Sequence, residues 1–215
     1  MTSTSPLSRQ TALEVNAPAT PVQRRGVRRF QSLLRASEEL LGEQGYEAAT
    51  LKAIGARAGI PTTSVYHYFS DRHQVDAELL RRHLDDMGQR VDGALADSDA
   101  RTLREVVDIV IDTMLAQYRE HSSFIELWFT GRSSTLSELA RAHDASQAEK
   151  LLHLLTERNL IHADTPQLVL QTAIEAADRL FDAAFRHSPN GDDAVVDEAR
   201  RLVTAYLETY APRTP

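Results

Sequence analysis

At 215 residues, 42% apolar and 26% charged, the chain is long enough for one large domain or two small ones and can bury a core without staples. It contains no cysteine, which excludes disulfides, thiolate metal sites and cysteine nucleophiles. The net charge of -7 divides unevenly: residues 1–75 carry nine Lys and Arg against six Asp and Glu, a net +3, whereas residues 76–215 carry fifteen against twenty-five, a net -10. Such a split fits a basic end that meets a polyanion joined to an acidic body, with an uneven solvated surface as the alternative.

In chain order, residues 1–22 are rich in Ser, Thr, Ala and Pro without a sustained period, and we expect a disordered tail. The N-terminus lacks a basic-then-apolar leader and apolar runs are short, so a cytoplasmic protein is expected. From Arg24 a helical period sets in through Val27, Phe30, Leu33, Leu34, Ser37, Leu40 and Leu41, with Gly45 as the stop.

The next stretch, "TLKAIGARAGIPTTSVYHYFSDR", reads as a helix-turn-helix. Thr50 caps a helix whose inner face is Leu51, Ile54 and Ala58; Gly59 permits a left-handed turn, and Pro61 with Thr62 opens a second helix. Val65, Tyr68 and Phe69 fall on its core side. Thr62, Thr63, Ser64, Tyr66 and His67 fall towards solvent, and their hydroxyls and imidazole suit hydrogen bonds to phosphates and base edges.

Asp71, with Gln74 three residues on, predicts a capping box for a long fourth helix carrying Val75, Leu79, Leu80, Leu84, Met87, Val91 and Leu95. A fifth helix carries Leu103 to Tyr118, a short sixth the apolar "FIELWF" ended by Gly131, and a seventh runs from about Leu136 to Arg158. An eighth opens at Asp164 with Pro166 in its first turn, and the turn "HSPNGDD" leads to a last helix ending near Tyr210. No sustained alternation predicts a strand. We expect an all-α chain of about nine helices: a helix-turn-helix DNA-binding domain over residues 23–70 and a C-terminal helical bundle over 71–215.

The block "GYEAATLKAIGARAGIPTTSVYHYFSDRHQV", with "RRFQSLLRASEELLGEQ" before it, resembles the DNA-binding domain of the TetR (tetracycline repressor) family over residues 24–85. The resemblance implies an all-helical homodimer whose C-terminal domain dimerises and usually binds a small inducer. By position it implies Thr50 on a phosphate at a helix cap, Thr62 and Thr63 at the groove-facing start of the recognition helix, Tyr66 on phosphate, His67 on phosphate or a base edge, and Arg72 on the DNA backbone. Thr62 and Thr63 stand where a Lys-Gly pair is common and Pro61 where a serine is usual, so the base preference of familiar members does not carry over. Arg24, Arg25, Arg28 and Arg29 oppose the dipole of the first helix, a conflict that a phosphate partner removes.

In the acidic body, Met114, Tyr118, Phe124, Leu127, Trp128 and Phe181 are the candidates for an apolar ligand pocket between helices, with Glu126, Arg132, His121 or Asp178 supplying polarity. Helical core is the competing reading at each position. Ala173, Ala177 and Ala184, with Leu202 and Tyr206, are candidates for a dimer interface of two helices per protomer; the alternative places them in one protomer's core. Eight histidines occur without a metal-ligand spacing, so neither a metal nor another cofactor is expected. No nucleophile elbow, phosphate loop or dinucleotide fingerprint is present, so no catalytic residue is assigned and an enzyme is not expected.

The sequence therefore predicts a ligand-responsive repressor that binds a pseudo-palindromic DNA operator as a homodimer and is released by a small apolar or amphipathic inducer, with no membrane partner. A helical sensor or enzyme without specific DNA binding, and an architectural DNA binder without sequence preference, are the rivals.

Overall fold

The computed structural model describes residues 21–130 and 134–212, with the side chains of 21–23, 129 and 130 left aside. The expected tail, the Gly131 stop and Arg132 therefore lie outside the described residues. Among those described, the chain forms nine α-helices and one short 3₁₀ turn, with no strand: α1 Pro21–Gln44, the turn Tyr46–Ala48, α2 Leu51–Arg57, α3 Thr62–Val65, α4 Arg72–Ala96, α5 Leu103–Glu120, α6 Ser122–Thr130, α7 Ser134–Glu157, α8 Gln167–Phe185 and α9 Asp193–Glu208.

α1 packs its Leu33, Leu34, Leu40 and Leu41 stripe inward, but Val27, one turn before Phe30, is 58% exposed, because the first turns of α1 extend past the elements it covers. The α2–α3 corner ends in a Schellman arrangement: Gly59 sits at φ 66, its N–H donates to the Ala56 carbonyl, and the Ile60 N–H donates to the Gly55 carbonyl at 2.9 Å. Gly55 lets the two helices meet, since a Cβ there would stand 2.8 Å from Val65 Cγ2 and 2.9 Å from the Ile60 carbonyl oxygen.

α4 spans the molecule. It packs on α1 and α6, and on α5 and α7 of the body. Its start differs from a full capping box: Asp71 accepts from the Gln74 N–H at 3.1 Å, but the Gln74 side chain accepts from the Ser70 N–H rather than from that of Asp71. The complete box lies at α5, where Thr102 and Glu105 bond reciprocally. α8 begins at Gln167 with Pro166 at its N-cap, later than Asp164, because the proline restricts the preceding residue to extended backbone. α8 and α9 form the most extensive helix pair, and Arg200 of α9 bonds Asp108 and Asp112 of α5.

Candidate nucleic-acid interface and ligand cavity

Recognition side chains are held from behind. Val65 is fully buried, and Phe69, 3% exposed, stacks on Phe30 of α1 with ring centroids 5.1 Å apart. With that side fixed, Thr63, Tyr66 and His67 are exposed and Thr62 and Ser64 partly so; the backbone beyond Val65 tightens into successive turns that carry Tyr66 and His67. Tyr66 is 57% exposed, unusual for a large aromatic with core available next to it. Thr50 caps α2 by accepting from the Ala53 N–H at 3.2 Å. Arg24, Arg25, Arg28 and Arg29 are all exposed on α1, and so is Lys52 on α2, a cation two residues beyond the cap that motif reasoning passed over.

Arg72 is the exception. Its guanidinium lies 3.6 Å above the Tyr46 ring and pairs with the buried Asp76 at 3.5 Å. The Tyr46 hydroxyl donates to Asp76 at 2.8 Å. Burial, then the Asp76 bond, pushes the Tyr46 phenol up to about 12, and burial likewise raises the Asp76 carboxyl. Arg72 is thus committed to a structural knot at the start of α4 rather than extended towards a phosphate.

That knot reaches the body. The Tyr46 N–H donates to Glu126 Oε2 of α6 at 3.3 Å, and α1 lies so close to α6 that a Cβ on Gly42 would meet Ser122 Oγ at 2.8 Å. The residues following Glu126 on α6, Leu127 and Trp128, line a cavity of about 750 Å³ between α4, α6, α7 and α8. Leu80 and Leu136 add apolar walls; Asp144, Glu175, Asp178 and Asp182 line it together with Arg141 and Arg179, and Asp182 pairs with Arg186 at 2.8 Å. Burial raises Asp178 to about 8, with Asp144 adding to the effect, and burial then Glu175 raise Asp144 to about 6. Asp178 also borders a second, apolar cavity of about 70 Å³ lined by Val110, Met114, Leu155 and Ile174.

Of the expected pocket residues, Leu127 and Trp128 border the large cavity and Met114 the small one. Tyr118, Phe124 and Phe181 instead form a ring cluster of core: Tyr118 lies 5.0 Å from Phe124 and 5.5 Å from Phe181, each at most 1% exposed. Their mutual packing consumes the faces a ligand would need. Glu126 and His121 turn towards Tyr46 and Glu38 respectively; only Asp178 of the described polar candidates meets the cavity. Ala173, Ala177 and Ala184 are buried inside the protomer, because small residues there admit α9 and the small cavity; Leu202 is 47% exposed and Tyr206 partly so, against Tyr210.

A helix-turn-helix with an outward hydroxyl and aromatic face, wired to a helical body with a ligand-sized cavity, defines a DNA-binding regulator. The chain belongs to the TetR family of transcriptional regulators. The family model for bacterial regulatory proteins of the tetR family matches residues 33–78, and that for the tetracyclin repressor-like C-terminal domain residues 102–207. The crystal structure of a TetR-family transcriptional regulator from Streptomyces coelicolor is 31% identical and superposes with a TM-score of 0.66 over 85% of this chain and 99% of its own. The HTH-type transcriptional regulator BetI of Vibrio parahaemolyticus serotype O3:K6 is 24% identical over 84% of this chain and 90% of its own length. The HTH-type transcriptional activator FasR of Mycolicibacterium smegmatis is 33% identical over 46% of this chain and 43% of its own. Among the described residues no helix is long and apolar enough to cross a membrane.

Proposed function

We propose that this regulator is a repressor that grips a pseudo-palindromic operator as a homodimer and leaves it when an amphipathic, positively charged molecule enters the cavity between α4, α6, α7 and α8. In this reading residues 23–70 read DNA, and 71–215 sense the ligand and dimerise.

The observation that carries the ligand class is the pair Asp144 and Asp178 on the cavity wall, whose carboxyls burial holds at about 6 and about 8, with Glu175 and Asp144 respectively adding to the rise. A ligand cation beside them offsets the cost of ionising them. Trp128 lines the same cavity as an aromatic partner for that cation, and the small apolar cavity that Asp178 also borders receives a hydrocarbon portion.

Dimerisation through the outer faces of α8 and α9 is supported by Leu168 and Leu202, 67% and 47% exposed. A two-fold dimer sets its recognition helices about 34 Å apart, one duplex turn. Ligand releases DNA only if it binds the misaligned state more tightly. α4, through Leu80, and α6, through Trp128 and Glu126, are the elements that meet both ends.

The test is retention of DNA fragments from around the protein's own gene against scrambled competitor at two salt concentrations, followed by addition of an alkyltrimethylammonium ion, the matching alkanol or the matching alkanoate. Selective retention, weakened by salt and abolished by the cation alone, is expected. Equal weak retention of every fragment overturns the operator reading, and release by alkanoate as readily as by the cation overturns the ligand class.

A further inference from the structure

The junction of α1, α4 and the α5–α6 corner holds a cluster that neither DNA reading nor the cavity uses. Glu38 Oε1 stands 3.5 Å from His83 Nε2 and 3.7 Å from His121 Nδ1, and the ligand atoms of all three lie within 4.8 Å of one another. These separations are too long for good hydrogen bonds. They match something else: nitrogen and oxygen ligands about 2.1 Å from a tetrahedral ion stand about 3.4 Å apart. The carboxylate already sits at that spacing from both imidazoles.

Each ligand is suitably prepared. His83 is buried, 7% exposed, and aims Nε2 at Glu38. Its ring is fixed by stacking on Phe124 at 5.1 Å. His121 and Glu38 are 31% and 37% exposed, which gives an ion a way in and leaves room for water as a fourth ligand. Two imidazoles and one carboxylate suit zinc-class ions rather than magnesium or calcium.

We propose that Glu38, His83 and His121 bind one divalent transition ion of the zinc class, which pins the first helix to α4 and the α5–α6 corner. Sequence spacing conceals such a site because its ligands come from three separate elements.

The test uses the full chain, stripped with chelator and titrated with zinc alone against a chromophoric competitor. One zinc per chain is expected, with a higher Tm for the zinc-loaded protein. Glu38→Gln and His121→Ala, both at partly exposed positions, should each weaken zinc by at least about 10–100-fold and abolish the Tm gain. Visible absorption of Co²⁺ added to the unmodified chain provides a readout independent of any variant, and the intense bands of a four-coordinate ion are expected. Absence of zinc retention at about 10 µM free ion, unchanged affinity in both variants, or a Co²⁺ spectrum identical to that of the free aqua ion overturns the site. None of these readouts requires DNA or the cavity ligand, so failure here leaves the regulatory reading standing.

Discussion

The backbone N–H of Tyr46 donates to the carboxylate of Glu126 at 3.3 Å, joining the turn that precedes the helix-turn-helix to the helix whose next two residues wall the cavity. Tyr46 in turn holds Asp76 and lies under Arg72 at the start of α4. A chain of direct contacts thus runs from ligand space to the base of the reader.

Breaking its first link should uncouple the two ends while leaving each intact. Glu126→Ala is expected to retain operator affinity and ligand affinity but to reduce the effect of ligand on DNA binding by about 1 kcal/mol, roughly five-fold. Fluorescence anisotropy of a labelled operator with and without ligand reads the difference; an unchanged ratio removes Glu126 from the coupling.

Asp178 gives the cavity a pH signature. Its folded pKa, about 8, lies above its ordinary value of 3.8, so between those values the native state holds a proton that the unfolded chain has released. Stability therefore falls as pH rises through that window, and Asp178→Asn should remove part of the fall, raising Tm at pH 8 by about 2–4 °C per kcal/mol recovered. A cationic ligand favours the ionised carboxylate, so its affinity should rise from pH 6 to pH 9 in the parent and much less in the variant. Calorimetric titration across that range checks the sign.

Gly55→Ala should damage the reader selectively. The added Cβ meets Val65 and the Ile60 carbonyl, a backbone atom that cannot move aside cheaply. A loss of about 1–3 kcal/mol is expected, with operator binding failing before the body unfolds. Differential scanning calorimetry and operator retention measured on the same sample compare the two losses.

The arginines should separate into two kinds. Arg72→Ala leaves buried Asp76 without its cation and should lower stability by about 1–3 kcal/mol. Arg28→Ala, at an exposed position, should leave Tm unchanged and reduce the salt dependence of operator binding by about 0.9 in log–log slope if that side chain holds one phosphate. Tyr66→Phe should weaken all operators alike, and Thr63→Ala should shift base preference at one position.

The helix-turn-helix was legible because its signals are local: Thr50 one residue before α2, Gly59 at the left-handed corner, and the Val65–Phe69 spacing that turns Tyr66 outward. The core stripe of α4 was legible for the same reason. Arg72 was not, because whether a cation points to solvent or lies on a ring depends on Tyr46, 26 positions earlier in the chain and brought close only by the fold. The cavity was half legible. Aromatic residues at helical spacing predict burial, and Tyr118, Phe124 and Phe181 are buried, but against each other. Asp144 and Glu175 carry no local signal of their pairing, because they come from α7 and α8 and meet only at the cavity. The box of Thr102 and Glu105 is equally local, with Glu three residues after Thr at the start of α5.

α4 is an unbroken helix of 25 residues from Arg72 to Ala96, about 37 Å from end to end. Pivoting such a rod by about 5° carries its far end about 3 Å, close to the rise of one base pair along a DNA strand. In the proposed dimer, occupancy of the operator would then rest on angular tolerance: a tilt of α4 by a few degrees would be enough to put a pair of readers out of step with their half-sites.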